Sequence, residues 1–326
     1  MQDVTDLPFM RLVAEYGGPD IFVTEYFRVT PDSRLDGNIL KSITENETGI
    51  PVFAQMIGQD IPALVRNAKA LEKYPVAGID LNLGCPAPVV CRKDAGGGLL
   101  RQPERVDEIL RALRDTVEGR FTVKCRVGFT DKSEFPRLLE VFQKHAINGL
   151  TVHGRTVRDA YKTAVHPECV AMAVHAMPCP VIANGNVVDV PTGVAYLRQT
   201  GAAGLMLGRG AIRHPWLFEN LRAHWEGRPE AVRTGRDMLA YIQKLYEVTA
   251  AFHPRFETNP HVHKMKRYMV FITTGIAEGQ FEHRIRRVLS EPEFFAACYE
   301  YLDNDEPLPV RPPASSGVFC GFAELK

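Results

Sequence analysis

Seven short apolar, β-branched runs recur along the first two thirds of the chain, each separated from the next by room for one helix. They are Ile21–Phe27, Pro51–Ile57, Gly78–Gly84, Phe121–Val127, Gly149–His153, Pro180–Asn184 and Gly204–Gly208, and their starts lie 30, 27, 43, 28, 31 and 24 residues apart. Strands joined by crossovers of that length pair in parallel, so the pattern predicts repeated βα units in an α/β protein. A doubly wound sheet and a closed (β/α)8 TIM barrel both satisfy it. Three features favour the barrel. Seven strands are more than most open sheets of this size need, and no G-x-G-x-x-G follows the first strand. Polar residues also end nearly every run: Glu25, Gln55, Asn82, Lys124 and Arg126, His153, Asn184 and Arg209. Barrel enzymes place their chemistry at that rim. Closure needs eight strands, one more than is visible.

After about Arg222 the strand runs stop, and helical periodicity appears in Met238–Phe252, Lys264–Thr273 and Glu293–Leu302. The chain therefore divides into a barrel domain over 1–228, a helical domain over 229–305 and a proline-rich tail over 306–326, expected to be poorly ordered. With 39 Lys+Arg balancing 39 Asp+Glu and 45% apolar residues, 326 residues can bury a large core and are not a disordered chain. No apolar run approaches the length of a membrane span, and Met1–Asp6 does not read as a secretory leader. Seven cysteines without a C-x-x-C pair indicate neither a zinc site nor a disulfide framework. His261 and His263 have no carboxylate or cysteine cluster beside them, so no metal is expected. The expectation is a cytoplasmic enzyme.

Cys85 stands one step past a strand in Leu81-Asn82-Leu83-Gly84-Cys85-Pro86, with Gly96-Gly97-Gly98 following. A rim thiol can act as nucleophile, general acid or hydrogen-bond donor, or be a small buried apolar residue. Cys91 shares the loop, whereas Cys125 is inside a strand and Cys169, Cys179, Cys298 and Cys320 lack polar company. Lys124 and Arg126 are two apart on one strand and face one side. A charge facing into a barrel needs an anion or a structural carboxylate such as Asp80 or Glu25. Asn184-Gly185-Asn186 and Gly208-Arg209-Gly210 fall in the last two loops, where barrels most often bind phosphate. His153 serves proton transfer or caps a strand end. Over residues 261–290, Lys264, Lys266, Arg267, Arg284, Arg286 and Arg287 face only Glu278 and Glu282 within the stretch, with Tyr268, Phe271 and Phe281 interleaved. That is a solvated helix face or a polyanion footprint.

At L-N-L-G-C-P and G-G-G-L-L the sequence resembles the tRNA-dihydrouridine synthases. The likeness continues, in the family's order, through Val4-Thr5-Asp6, Phe53–Gly58, Val123–Gly128, Val152–Thr156, Ile182–Asn186 and Met206–Gly210. It implies an FMN-containing barrel that uses NADPH to reduce the C5–C6 bond of particular uridines in tRNA. Cys85 matches the proton donor to C5, a role suited to a thiol, which is ordinarily protonated at neutral pH. Gln55, Lys124, Asn184, Gly185, Asn186, Gly208 and Arg209 match FMN contacts, and His153 lies near the flavin. Asn82, Arg126 and Arg155, with the six basic residues of 261–290, are the residues nominated for tRNA. Asn186 stands where an acid is common, and Val165-His166 where Asp-Trp is.

The same resemblance aligns Met1 with the end of the family's first strand. It implies that the missing eighth strand precedes Met1, about ten residues upstream, and that Met1 and Gln2 are remnants of the segment under the flavin. Two alternatives remain open at this point. An FMN barrel reductase of a small pyrimidine shares N-x-x-C-P, and a non-redox RNA-binding barrel would use the phosphate loops alone.

Overall fold

The computed structural model describes residues 1–252 and 258–325. All seven runs form strands of one parallel sheet: β1 (Phe22–Val23) and β2 (Phe27–Arg28) from the first, then β3 (Val52–Ile57), β4 (Gly78–Leu83), β5 (Phe121–Arg126), β6 (Gly149–His153), β7 (Val181–Asn184) and β8 (Gly204–Met206). The sheet runs β1-β3-β4-β5-β6-β7-β8, with β2 also on β3. Every residue of β3 and β4 is buried, as expected of parallel strands covered on both faces. Helix α1 (Leu7–Glu15) precedes β1, and crossover helices return the chain between the strands: α2 (Gly37–Thr44), α3 (Ile61–Leu71), the single turn α4 (Pro88–Cys91), α5 (Pro103–Thr116), α6 (Phe135–Gln143), α7 (Pro167–Ala176) and α8 (Val190–Thr200). Aspartates start several of them. Asp60 accepts from Ala63 N at 2.9 Å, and Asp189 and Thr192 form a reciprocal capping box at α8.

The first run is one strand broken by a bulge. Between the pairs Val23–Phe53 and Phe27–Met56 it spends four residues where β3 spends three. The Thr24 hydroxyl accepts from Gln55 N at 3.0 Å, so a side chain takes the ladder position. Released from the strand, Glu25 turns to accept from Val4 N (2.9 Å) and Thr5 N (3.1 Å). Among the described residues no strand pairs with the outer side of β8. The turn Met1–Asp6 lies beside it, with Met1 Sδ 3.8 Å from where a side chain on Gly208 would begin.

Beyond β8 come α9 (Arg209–Arg213), α10 (Leu217–Trp225), α11 (Gly235–Phe252), α12 (Thr258–Ile272), α13 (Gln280–Arg287) and α14 (Glu291–Leu302). These helices do not keep a core of their own. Met238, Leu245, Met265, Met269 and Phe294 are buried in one cluster with Phe9, Leu12 and Val13 of α1 and with Trp216. Among the described residues no helix is long and apolar enough to cross a membrane.

The tail departs from expectation. Residues 306–325 have little regular structure, yet Phe319, Phe322 and Leu325 are buried, and Thr234 bridges Pro307. Arg213 donates to Pro309 O (2.6 Å) and Val310 O (2.8 Å), and Arg311 is ion-paired with the buried Asp189. The proline-rich composition matches a segment whose regular structure is one 3-10 turn at Phe322–Glu324 and the bridge at Pro307. Order comes instead from three apolar side chains and from buried arginines that need carbonyl partners.

Candidate active site

Parallel register sets the rim in two layers. Asn82, Lys124 and Thr151 lie across from one another, and above them Arg126, His153, Asn184 and Met206. Asn82 heads a connected network of polar side chains that runs down beneath these layers. Asn82 Nδ2 donates to Gln55 Oε1 (2.8 Å), Gln55 Nε2 to Asp80 Oδ2 (2.8 Å), and Thr122 Oγ1 to Asp80 Oδ1 (2.7 Å). Asn82 Oδ1 also accepts from Gly84 N and Cys85 N, both at 2.9 Å. One amide thus fixes both the strand network and the backbone that carries Cys85.

Cys85 is half-buried, with its backbone carbonyl bonded to Gly97 N (3.0 Å). Tyr26, from the bulge, lies against it; burial and the neighbouring thiol both raise the Tyr26 hydroxyl. Cys91 is buried and its thiol donates to Cys85 O at 3.5 Å, while burial raises its pKa. Burial pushes Cys125 up to about 12. Close packing of Gly96 explains the glycines here: its φ is +54°, and a Cβ would meet Ile57, Val90 and Cys85 at about 3 Å.

Lys124 Nζ donates to Asn184 Oδ1 at 3.1 Å, and Asn184 Nδ2 to Met206 O at 2.7 Å. Burial, then Arg126, lowers the lysine to about 8; Asp80 opposes this but spends its oxygens on Gln55 and Thr122. His153 is buried with no partner on Nδ1, and burial followed by Arg126, Lys124, Arg155 and Arg209 holds it well below its ordinary pKa. It is a neutral imidazole, and Nδ1 does not cap a strand end. Asn186 sits at φ +59°, accepts from Arg155 Nη2 at 2.7 Å and leaves Nδ2 without a partner. Burial, then Arg209 and Arg126, lowers Arg155 to about 10.

Two of the nominated tRNA contacts belong inside the protein. Arg126 donates to Gly84 O (2.9 Å), Thr156 O (2.7 Å) and Ala160 O (2.7 Å). Arg155 is fully buried and donates to Thr163 O, Asn186 and Cys320 O. Both tie rim loops together, and neither offers a surface to RNA; Asn82 is likewise committed to its network. In the helical segment Lys264 is paired with Asp6 at 2.7 Å, Arg267 with Asp3 at 2.8 Å, Arg284 with Glu300 at 3.7 Å and Arg286 with Glu282. Lys266 donates to Arg286 O at 3.0 Å. Arg287 is exposed and lines a hollow with His283 and Arg284. Tyr268 and Phe281 are core residues, not a stacking platform.

Tyr161 joins the site without having been expected there. Its ring lies 5.2 Å from the Arg126 guanidinium carbon and 4.8 Å from that of Arg209, and edge-on to His153. It lies in a rim loop with no periodicity to mark it; only its place after Val152–Thr156 could have pointed to it.

The rim therefore concentrates Lys124, Arg126, Arg155 and Arg209 around a neutral imidazole, with orphaned polar atoms on His153 and Asn186. Lys124 and Arg209, with those orphaned nitrogens, fit an anionic ligand with ring heteroatoms, as a flavin is. The parallel sheet and its thiol-bearing, cation-rich rim define a barrel-type enzyme. A family model described as dihydrouridine synthase (Dus) matches residues 1–304, and the chain belongs to that family. It is 32% identical over 290 residues to a tRNA-dihydrouridine(16) synthase of Haemophilus influenzae, covering 86% of this chain and 90% of that one. It is also 30% identical over 256 residues to the protein of that name in Neisseria meningitidis serogroup A (76% and 77% covered). With tRNA-dihydrouridine synthase B of Vibrio vulnificus the identity is 32% over 255 residues (76% and 78%). Among solved structures, a 6-hydroxypseudooxynicotine amine oxidase from Pseudomonas geniculata shares the fold at TM-score 0.50 and 11% identity, over 73% of this chain and 47% of that one.

Proposed function

We propose that this protein is a tRNA-dihydrouridine synthase, reducing the C5–C6 bond of specific uridines in tRNA with FMN as cofactor and NADPH as reductant. The observation that carries the reading is the half-buried Cys85 thiol, its backbone pinned by Asn82, at a rim that also carries Lys124, Arg209 and the buried His153. Bound FMN would supply the two-electron chemistry, accepting hydride from NADPH and passing it to C6 of the base. Lys124, with Gln55 and Asn184, would hold the ring, its ammonium compensating negative charge there. Arg209, Gly208 and Gly185 would hold the phosphate, with the close approach that glycine permits.

Hydride at C6 leaves the electron pair on C5 and O4 of the base. Cys85 Sγ–H donates its proton to C5, and the thiolate is reprotonated from solvent. His153, neutral and buried, contributes a hydrogen-bonding nitrogen without adding a fifth positive charge. The base must leave the tRNA stack to reach this rim. Beside it a groove lined by Gln2, Glu25, Asp36, Lys264 and Arg267 separates barrel from helical segment.

The test is direct. Purified protein should be yellow, bleach on NADPH addition, and restore dihydrouridine to tRNA from a deletion strain. Position 16 is the first to map, because two of the relatives above are named for it. A flavoprotein that reduces free pyrimidines and leaves tRNA unchanged would replace this reading with the small-substrate one.

A further inference from the structure

The stretch matched by the family ends at residue 304, yet the chain that follows returns to the barrel rim. Arg213 and Asp189 anchor it at Pro309–Arg311, as described above. It then lays Val318–Cys320 over the loops after β6 and β8. Val318 O accepts from Arg209 Nη1, and Cys320 O from Arg155 Nη2 at 2.9 Å. Phe319 is buried among Val188, Phe322 and Phe271. Its ring lies 5.7 Å from the Arg209 guanidinium carbon, which Tyr161 approaches at 4.8 Å. Gly321 makes the fit possible: its φ is +70°, and a Cβ there would stand 2.6 Å from Thr163 and Ala164 backbone atoms.

We propose that the tail is the outer wall of the phosphate end of the cofactor site, with Phe319 and the Val318 carbonyl as positioning groups that aim Arg209 at the FMN phosphate. This rests on the flavin reading above. A guanidinium offers five N–H groups in one plane. With aromatic rings against it and a carbonyl taking one nitrogen, the free donors on its remaining edge are held in a single direction. Arginine is rotamer-rich, and ordering it before the ligand arrives removes part of the entropic cost of binding. A flexible plug fits less well, since three apolar side chains of the segment are buried and two of its carbonyls accept from Arg155 and Arg209.

The test compares FMN with riboflavin, which lacks the phosphate, by fluorescence titration of flavin-stripped protein. Phe319→Ala should weaken FMN binding about tenfold, a loss of the size of one charge-assisted contact, and leave riboflavin binding unchanged. Phe319→Tyr should restore it. In an Arg209→Ala background Phe319→Ala should cost nothing further, because the effect passes through Arg209. Equal losses for both flavins, additive losses in the double variant, or tighter FMN binding by Phe319→Ala would each overturn the inference. Wild-type protein that takes up neither flavin would overturn the flavin reading itself. Wild type that binds FMN while Phe319→Ala binds it equally well leaves that reading intact and removes only this one.

Discussion

Cys85 and Cys91 are six residues apart and have opposite surroundings: one is half-buried beside Tyr26, the other buried with its thiol on a carbonyl. Cys85→Ala should keep its flavin and its reduction by NADPH, while dihydrouridine formation falls by about 10²–10⁴, the usual worth of a positioned acid. Cys91→Ala should turn over nearly normally. Comparable turnover in the two variants, measured by dihydrouridine yield, would refute the assignment. Lys124 carries a pH signature. Its folded pKa is about 8 against an ordinary 10.5, so the positive charge is lost as pH rises through about 8 in the free protein. FMN affinity should therefore weaken from neutral to mildly alkaline pH, and Lys124→Met should bind more weakly with a flat profile. Identical pH profiles for the two proteins would assign the charge to another group. Cys85 and Lys124 were legible as strand-end residues because strand period fixes which side chains share a face. Tyr26 and Tyr161 were not: the bulge that carries Tyr26 leaves no mark in an apolar run, and the contacts of Tyr161 depend on a loop path that no periodicity records.

At the scale of elements, the broken first strand shows what apolar patterning conveys and what it omits. Buried parallel strands read as continuous apolar runs, which is why all seven appear in the sequence at their observed places. The bulge turns on one hydroxyl, Thr24, replacing a ladder acceptor for Gln55 N, and a Thr within a β-branched run looks like any other strand residue. Thr24→Val keeps the shape and leaves that buried N–H without its partner. It should cost about 1–3 kcal/mol in a denaturant titration, and an unchanged midpoint would mean the bulge is held by Glu25 and the turn at Val4-Thr5 instead. The basic stretch over 261–290 teaches the complementary lesson. Counted along the chain it carries an excess of positive charge; in space Asp3, Asp6 and Glu300, from other elements, pair with Arg267, Lys264 and Arg284.

For the molecule as a whole, the tail and the helical segment are bound to the barrel by different means. The tail supplies carbonyls to the buried Arg155 and Arg213 and to the partly buried Arg209. Deleting residues 306–326 strips those partners at about 1–3 kcal/mol each. The melting temperature should then drop by roughly 5–15 °C in calorimetry, whereas an unshifted transition would show the tail to be dispensable. Its composition concealed this, because proline, serine and glycine mark irregular backbone and are silent on whether irregular backbone is packed. The helical segment is joined through apolar contact. Phe9, Leu12 and Val13 lie in the same core as Met265 and Met269, and a well-packed core deforms little. Barrel and helices thus hold the Cys85 rim and the helical surface at a fixed separation. Under the proposed function, a tRNA held on those helices could not slide to bring a neighbouring nucleotide to the thiol. Which uridine is modified would then be a matter of length measured from that hold, not of the letters around it.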